Sequence, residues 1–330
     1  MSTRHSEIKN YLLNIELGEL QSFKKMGVIP LKTSVSQGSE YVTLKEALEK
    51  NYLTIKEVSH GGSVPELKVI NNAEIHILLL DGEELVGAKQ NRVLNTTILL
   101  KKKSETVIPV SCTEQGRWSY ISEEFADSKI VMSPRLRMTK ARSVSASLRE
   151  SHQYSSDQAA VWNAIDEMSE DAEVHSSTGA MKDVFDSKLK DLDGYLKAFK
   201  YKPKQKGMLV LLNGEVVGFD IVSRDLAYKV LHPKLVKSYA IEAILLKKEK
   251  IAKSNADKAK AFIKEIAACS EKKYESIGNG WDYRFEGKQV VGSALVYRKN
   301  VIHMAFFRIT ESERAGPMSS SRRRRGYRID

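Results

Sequence analysis

Apolar and polar residues alternate along the first third of the chain, which is the period of a half-buried β-strand. The runs LTIKEVS and ELKVIN show it, and a Gly-rich turn with Pro65, SHGGSVPE, separates them. Three longer runs follow: AEIHILLLDGEELVG, RVLNTTILLKKK and ETVIPVSCTEQGRW. We interpret these three as an antiparallel β-meander with tight connections.

The period changes from about Ser151, where apolar residues recur at three- and four-residue spacing. SSDQAAVWNAIDEM and STGAMKDVFDSKLKDLDGYLKAF predict helices. RDLAYKVL and PKLVKSYAIEAILLKK predict two more, with Pro233 opening the second. A long amphipathic helix is predicted from Ser254 to Tyr274. Its apolar face is predicted to hold Ala259, Phe262, Ile263 and Ile266.

Shorter signals complete the prediction. TLKEALEK begins with a capping box, Thr43 with Glu46, and predicts a short helix. GMLVLLNGEVVGFDIVS and WDYRFEGKQVVGSALVYRKNVIHMAFFRI return to strand. The predicted class is therefore α+β, a mostly antiparallel sheet system with helices packed on one side. We predict a β-rich region over 1–150, a segment 151–310 that completes the same domain, and a disordered basic tail over 311–330.

A short pattern recurs three times, as LDGEELVG at 80–87, LNGEVVG at 212–218 and EGKQVVG at 286–292. Asp-Gly and Asn-Gly are common two-residue hairpin turns, because both central positions need a positive φ. Shared turn chemistry is one explanation of the pattern, and a duplicated β-unit is the alternative.

Composition and charge narrow the class of protein. The chain has 330 residues, of which 42% are hydrophobic, so a sizeable core is expected. It lacks an apolar run long enough to span a membrane and a leader-like N-terminus, and its two cysteines are far apart, so we expect a cytoplasmic protein without contact to membranes. The net charge of +11 favours anionic partners or is simply a solvated basic surface. Arg322 to Arg325 suggest a nucleic-acid arm or a disordered end.

Residues 81–95, DGEELVGAKQNRVLN, concentrate polar chemistry between two apolar runs. If the segment is extended, alternation sends Lys89 and Asn91 to one side and Gln90 and Arg92 to the other; if it turns, they converge. Arg offers a planar fork to phosphate or carboxylate, Lys a point charge, and the amides orient a ligand. This mixture favours a polyol phosphate or a nucleotide. A solvated loop tip is the simpler alternative.

A second polar stretch, VSCTEQGRWSY, covers residues 110–120. If the two later strands pair about the KKKSE turn, residues 111–117 lie beside residues 87–92. Trp118 is placed to stack on a base or a sugar, or packs as core. Cys112 is a possible nucleophile if neighbouring cations lower its pKa, and otherwise a buried thiol. The predicted ligand-binding residues of both stretches are Lys89, Gln90, Asn91, Arg92, Asn95, Gln115, Arg117 and Trp118.

Carboxylates are the stronger catalytic candidates. Glu83 or Glu84 with Glu114 is predicted to form an acid/base pair, to hold a divalent cation with phosphate, or to form structural ion pairs. No close metal-ligand spacing occurs among the seven histidines, so no protein metal centre is predicted and the cofactor is left open. His60, in the Gly-rich turn, is the most exposed histidine expected. Dinucleotide and P-loop motifs are absent.

The runs YVTLKEALEK, EVSHGGSVPEL, LLLDGEELVGAKQNRVLN, VIPVSCTEQGRW and SSDQAAVWNAI resemble the ARG and rhodanese-phosphatase-superfamily-associated protein domain, where ARG stands for ADP-ribosylglycohydrolase. The resemblance is densest over 16–177 and fainter over 208–222 and 281–308. It implies a cytoplasmic prokaryotic or viral protein linked to ADP-ribose or nucleotide metabolism. Residues 178–206 and the Arg-rich tail lie outside the recognised pattern.

Three functions follow as hypotheses. The first is a hydrolytic enzyme for an ADP-ribose- or nucleotide-like substrate, with Glu84 and Glu114 in proton transfer. In it Lys89, Arg92 and Arg117 neutralise phosphate. The second is a non-catalytic module that senses the same ligand or scaffolds a partner. The third is a nucleic-acid binder that uses its basic surface and tail, and it predicts steep salt dependence.

Overall fold

The computed structural model describes residues 7–59, 61–246, 252 and 254–309, so His60 and the tail with Arg322 to Arg325 lie outside the described part. The helices are α1 (Glu7–Leu13), α2 (Leu44–Glu49), α3 (Pro134–Ser151), α4 (Gln158–Asp171), α5 (Met181–Ser187), α6 (Leu189–Ala198), α7 (Asp225–Leu245) and α8 (Ala256–Ala267). The strands are β1 (Glu16–Leu17), β2 (Gln21–Phe23), β3 (Met26–Lys32), β4 (Tyr41–Thr43), β5 (Leu53–Glu57), β6 (Glu66–Asn71), β7 (His76–Leu79), β8 (Glu83–Gly87), β9 (Arg92–Leu94), β10 (Ile98–Leu100), β11 (Ser104–Cys112), β12 (Phe125–Val131), β13 (Gly207–Leu212), β14 (Glu215–Val222), β15 (Ser270–Glu275), β16 (Trp281–Glu286), β17 (Val290–Tyr297) and β18 (Asn300–Arg308).

A nine-stranded antiparallel sheet forms the centre of the fold, in the order β1-β3-β13-β14-β18-β17-β16-β15, with β2 on β3. Its inner strands β3, β13, β14, β18 and β17 are buried on both faces, because their side chains alternate between two cores. Ile29 and Leu209 face the core that includes α1 and α8. Val28 and Val210 face the core that includes α4 to α7. The α+β class is confirmed, and helices α3 to α7 gather on one side while α1 and α8 cover the other.

A six-stranded sheet, β12-β8-β9-β11-β6-β5, curls until its two edges meet at a bridge between Lys56 and Glu124. Its inner face holds an apolar core that α2, β7 and β10 help to fill, with residues such as Ile55, Leu94 and Val110. Strands β7 and β10 belong to a separate three-stranded sheet with β4, which pairs with β7 in parallel. This curled sheet carries both polar stretches at one of its ends.

The simple meander was wrong. Strands β7 and β8 do not pair with each other, so Asp81 and Gly82 connect two sheets and do not form a hairpin turn. A Cβ at Gly82 would lie 2.9 Å from the Arg137 side chain, so this glycine makes room for an arginine. The Asn213–Gly214 copy does form a two-residue hairpin, with both residues at positive φ.

Two helix predictions were also wrong, and α3 was missed. Pro233 lies inside a single helix, α7, because the buried helix is held by packing on both sides of the proline. The predicted helix from Ser254 to Tyr274 is α8 followed by strand β15, whose residues SEKKYE pair with β16. Ser133 caps α3 and Pro134 occupies its first turn, a start signal that the sequence did contain. The capping box of Thr43 and Glu46 is confirmed.

Candidate ligand site at the open end of the curled sheet

The two polar stretches meet because β9 and β11 are neighbours. Cys112 lies opposite Arg92 and Ser111 opposite Val93, which confirms the predicted approach of the stretches. Paired residues share a face, so Arg92 and Cys112 point to the inner side, in line with the core residue Leu94. Val93 points outward to the core under α4 and α5.

Four polar side chains continue the inner face beyond the apolar core, and we call them the mouth cluster: Glu57, Gln90, Arg92 and Cys112. All four are buried. Gln90 Oε1 accepts hydrogen bonds from Arg92 Nη1 and from Cys112 Sγ, each at 3.0 Å. Glu57 comes from the end of β5, and the nearest approach of its Oε1 to Arg92 Nη2 is 3.9 Å.

The mouth cluster contains polar atoms that have no partner. Within the part of the chain that the structure describes, neither carboxylate oxygen of Glu57 accepts a hydrogen bond, and Nε and Nη2 of Arg92 donate none. The exposed side-chain fractions are 3% for Glu57 and 0% for Arg92, so bulk water does not satisfy them. Buried groups of this kind are rare, because each unmade hydrogen bond costs about 1–3 kcal/mol and more for charged groups. The arrangement is therefore that of a site which a ligand or bound water completes.

The rim of this site is aromatic and basic. Lys89 Nζ lies 5.1 Å from the ring centre of Trp118 and 5.2 Å from that of Tyr120, and it donates a 2.7 Å hydrogen bond to the Gly61 carbonyl. Arg92 Cζ lies 5.7 Å from the Trp118 ring, on the inner side. The rim therefore places a stacking surface beside a cation.

Gly62 holds the Gly-rich segment close to this rim. Its φ is +77°, and a Cβ there would lie 3.2 Å from Lys89 Cδ and 3.5 Å from both Glu57 Oε2 and Trp118 Cζ2. A side chain at this position would therefore contact Glu57, Lys89 and Trp118 together.

The chain between β8 and β9 bends, so that the polar residues converge as the turned alternative predicted. Gly87 has a φ of +129°, and a Cβ at this position would lie 2.7 Å from the Glu124 carbonyl oxygen. Ala88 follows with a φ of 38°. The backbone turn at these two residues interrupts the alternation of side chains between the two faces. As a result, Lys89 and Arg92 both contact the ring of Trp118.

Arg117 and Glu114 form a clamp that holds this bend. Arg117 Nε and Nη2 donate to the two oxygens of Glu114 at 3.0 and 2.7 Å, and its Nη1 donates to the carbonyls of Ala88 and Ser119. The Asn91 N–H also donates to Glu114. Burial alone would raise the pKa of Glu114, but the hydrogen bonds from Arg117, from Asn91 and from Thr178 outweigh it and lower that pKa. The clamp occupies both side chains with protein partners.

Glu84 lies on the outer face of the sheet, away from the mouth cluster. It is fully buried and accepts a 2.7 Å hydrogen bond from Thr113 Oγ1. Burial raises the pKa of Glu84 to about 7, against the lowering effect of Thr113 and Ser128. The predicted pair of Glu84 and Glu114 thus has pKa values shifted in opposite directions. Its members have different partners, since Glu84 on β8 accepts from Thr113 and Glu114, beyond the end of β11, accepts from Arg117 and Asn91.

Cys112 does not have the lowered pKa that a nucleophilic role requires. Burial raises the pKa of its thiol to about 11, although Arg92 acts in the other direction. Burial likewise lowers the pKa of Arg92. Asn95 accepts from Ser111 Oγ and donates to the Tyr154 carbonyl, so it is part of the outer face. Gln115 is exposed, and its carbonyl accepts a bond from Gln90.

Within the described ranges, no group of three or more His, Cys, Asp or Glu side chains is placed to share a metal ion. An open cleft of about 470 Å³ lies at the C-terminal end of α4, and none of the predicted site residues lines it. Its carboxylates disfavour an anionic ligand. The lining residues are Asp166, Ser169, Glu170, Glu173, Val174, His175, Ser176 and Gly179.

A second buried charge cluster was missed by the sequence analysis, and we call it the junction network: Asp81, Lys140, Arg137, Asp220, Tyr239 and His303. Arg137 donates two hydrogen bonds to Asp220, at 2.9 and 2.7 Å, and one to Asp81. Lys140 pairs with Asp81, and Tyr239 donates to Asp220 at 2.8 Å. The network joins α3 and α7 to the large sheet and to the β7–β8 connection.

His303 completes the junction network through both ring nitrogens. Thr97 Oγ1 accepts a hydrogen bond from the Asp81 N–H and lies 2.8 Å from His303 Nδ1. His303 Nε2 lies 3.4 Å from Asp220 Oδ1. Burial would raise the pKa of Asp220, but Arg137 and His303 lower it well below its usual range.

Glu57 is the mouth residue that sequence reasoning missed. It is the last inward position of the alternating LTIKE strand and it precedes the Gly-rich turn, so the signal was present. Arg137 and Lys140 were missed because α3 was not predicted, although Ser133 and Pro134 mark its start.

The family model for the ARG and Rhodanese-Phosphatase-superfamily-associated Protein domain matches residues 14–307. The chain belongs to this family. The match runs through residues 178–206, which the recognised pattern had left out. Comparison with curated proteins and with solved structures gives no match. None of the helices in the described residues has the length and apolar character needed to cross a membrane.

Proposed function

We propose that the chain is an enzyme that hydrolyses a nucleotide- or ADP-ribose-like phosphorylated small molecule bound at the mouth cluster. The observation that carries this proposal is the set of unpartnered atoms on Glu57 and Arg92, beside an exposed Trp118. Ends of curled sheets with a few convergent polar groups are common places for small ligands. The family name, with its ADP-ribosylglycohydrolase association, agrees with the substrate class.

The roles follow from which lone pairs and protons are free. Glu57 accepts the proton of a water molecule whose oxygen forms the new bond to the substrate. The leaving group departs with the electrons of the broken bond, next to the N–H groups of Arg92, and is protonated by solvent or by Glu57. Trp118 stacks on a planar part of the ligand, and Lys89 contacts phosphate.

Glu114 and Arg117 act as positioning residues in this proposal, because their hydrogen bonds hold the bend from Gly87 to Asn91. Glu84 stays under α5 and contributes through the fold. Gln90 orients Arg92, and Gln115 lies at the outer edge. A cytoplasmic location is part of the proposal, since both described cysteines are free thiols.

A non-catalytic sensor is the second candidate function. The observation that favours it is that Glu114, one of the two carboxylates predicted for catalysis, is saturated by Arg117 and Asn91. A sensor needs the mouth cluster for binding but releases its ligand unchanged.

The test is product formation under multiple-turnover conditions with a panel of ADP-ribose, NAD, nucleoside mono-, di- and triphosphates and sugar phosphates. We expect one class to be hydrolysed, and Glu57→Gln to lower kcat/KM by about 100-fold or more, the usual size of an acid–base contribution. Glu66→Gln is the matched control, because Glu66 is exposed at the start of the neighbouring strand β6. Binding without any product, at enzyme concentrations that exclude slow turnover, would favour the sensor.

A further inference from the structure

The charge of the mouth cluster limits what enters it. Glu57 supplies one carboxylate and Arg92 one guanidinium, 3.9 Å apart, and the neighbouring Gln90 is neutral. The thiol of Cys112 is also neutral, since burial raises its pKa to about 11. The two ionic charges therefore cancel, and no excess cation is left to neutralise a phosphate.

Neighbouring cations do not change this balance. Arg117 is committed to Glu114 through two hydrogen bonds. The ammonium group of Lys89 lies at the rim, between the rings of Trp118 and Tyr120, where it donates to the Gly61 carbonyl. A phosphate in contact with Arg92 would lie close to the carboxylate of Glu57, which is 3.9 Å from Arg92 Nη2, and would be repelled by it.

The unpartnered atoms define the complementary group by their hydrogen-bonding character. Glu57 offers two acceptor oxygens, and Arg92 offers the N–H groups of Nε and Nη2. A phosphate oxygen accepts only, so it would satisfy Arg92 and leave Glu57 unsatisfied. A neutral group with both donors and an acceptor satisfies the two together. The hydroxyl pair of a ribose and the amide edge of a nucleobase both have this character.

We infer that the mouth cluster receives an uncharged, hydrogen-bond-donating part of the ligand, and that the phosphate stays outside at Lys89. This inference rests on the proposed ligand site and names which end of the ligand enters it. It also assigns Arg92 to a neutral group, in place of the phosphate that the sequence suggested.

The test measures the affinity of fragments by titration calorimetry on the full chain. The fragments are inorganic phosphate, ribose, free nucleobases, adenosine, guanosine and their 5′-monophosphates. We expect a nucleoside to bind the wild type and to bind Glu57→Gln at least about 10-fold more weakly, because the amide replaces one acceptor by a donor. Lys89→Met is expected to weaken the monophosphate only, down to the affinity of the nucleoside. Ribose against free nucleobase tells which neutral group enters.

Three outcomes would overturn the inference: inorganic phosphate that binds more tightly to Glu57→Gln than to the wild type, nucleoside affinity that is equal in the two proteins, or an equal loss of nucleoside and monophosphate in Lys89→Met. Turnover of a nucleotide with any of these results would leave the proposed enzyme intact. Nucleoside binding that depends on Glu57, without turnover of any substrate, would keep the inference and remove the enzyme. If neither fragment nor nucleotide binds the folded protein, both are wrong.

Discussion

The mouth cluster and the junction network are built from the same chemistry and differ in one respect. Each buries an arginine against carboxylate, Arg92 beside Glu57 and Arg137 beside Asp220. All three donor nitrogens of Arg137 donate hydrogen bonds to carboxylates. Two nitrogens of Arg92 and both oxygens of Glu57 make no hydrogen bond among the described residues, and these two side chains form a long ion pair at 3.9 Å. In the junction network these hydrogen bonds offset the desolvation of the buried charges, whereas the mouth cluster leaves hydrogen-bonding capacity unused in the free protein. The two clusters therefore differ in their unmade hydrogen bonds, and not in burial or residue type.

The strongest way to break the comparison is to remove each arginine. We expect Arg137→Met to lower the free energy of unfolding by about 3–5 kcal/mol, because Asp220 stays buried without its main cation and Asp81 keeps only Lys140 of its two cationic partners in the junction network. Arg92→Met is expected to cost less, about 1–2 kcal/mol, because Arg92 makes one well-formed side-chain hydrogen bond, to Gln90, and its ion pair with Glu57 is long, at 3.9 Å. Urea unfolding at neutral pH measures both. Equal losses in the two variants would mean that Arg92 is a structural residue like Arg137.

Glu84 belongs to neither cluster, and its raised pKa gives the stability of the protein a dependence on pH. Its pKa is raised from the usual 4.5 to about 7, so between these values the folded state holds a proton that the unfolded chain has released. Stability then falls as the pH rises through this window, by on the order of 3 kcal/mol from this one group. Glu84→Gln is neutral at every pH, so its stability relative to the wild type should increase from pH 4.5 to 7.5. A constant difference across that range would show that the Glu84 pKa is not raised.

Substitution of Gly62, which lies against Glu57, is expected to have the next largest effect on stability. Gly62→Val puts a β-branched side chain at a φ of +77° and against Glu57, Lys89 and Trp118, which we expect to cost about 1–2 kcal/mol of stability and to abolish ligand binding. Gly61→Val is the matched control. A Cβ at this position would approach Ser59 Oγ at 3.7 Å, and the φ of Gly61 does not lie in the left-handed region. Thermal unfolding and calorimetry measure the two effects. Unchanged binding in a folded Gly62→Val protein would place the ligand elsewhere.

Structural features that depend on residues close in sequence were predictable, and features that depend on distant residues were not. The alternation of LTIKE, ELKVIN and the strands near the C-terminus predicted their strands, because burial of one face is written in successive residues. It also predicted that Arg92 and Cys112 come together, since one hairpin-like pairing decides this. The division of the predicted meander into two sheets was not predictable. Strand β7 pairs with β10 on one side and with β4, which is distant in sequence, on the other.

The sequence predicted most residues of the candidate site, but not which of them are already hydrogen-bonded to other protein groups. Residues 87–92 and 111–118 do lie close together. Their spacing in sequence did not predict that Arg117 donates its hydrogen bonds to Glu114 and to backbone carbonyls, while two donor nitrogens of Arg92 make no hydrogen bond among the described residues. Saturation is a property of the three-dimensional neighbours. Glu57 reaches the cluster from a strand outside both stretches, so only the closure of the curled sheet brings it there.

Glu57 itself provides a test with the opposite sign. We expect Glu57→Gln to raise the free energy of unfolding by about 1 kcal/mol, because it replaces a buried carboxylate that accepts no hydrogen bond among the described residues and whose ion pair with Arg92 is long, at 3.9 Å. Residues kept for function at the expense of stability behave in this way. Asp220→Asn, in the junction network, should instead be strongly destabilising, since Arg137 donates two hydrogen bonds to this carboxylate. Chemical denaturation of both variants gives the comparison, and a destabilised Glu57→Gln would contradict it.

The smallest effect on stability is expected at the rim. Trp118 is 48% exposed and Trp281, on the edge hairpin of the large sheet, is 46% exposed, so each change to alanine should alter the free energy of unfolding by less than about 0.5 kcal/mol. Their effects on ligand affinity should differ, because stacking of a base on an aromatic side chain is worth about 1–3 kcal/mol. Only Trp118→Ala is therefore expected to weaken binding, and by at least about fivefold. Equal affinities for Trp118→Ala and the wild type would mean that the ligand passes the rim without contact, and the mouth cluster alone would then carry recognition.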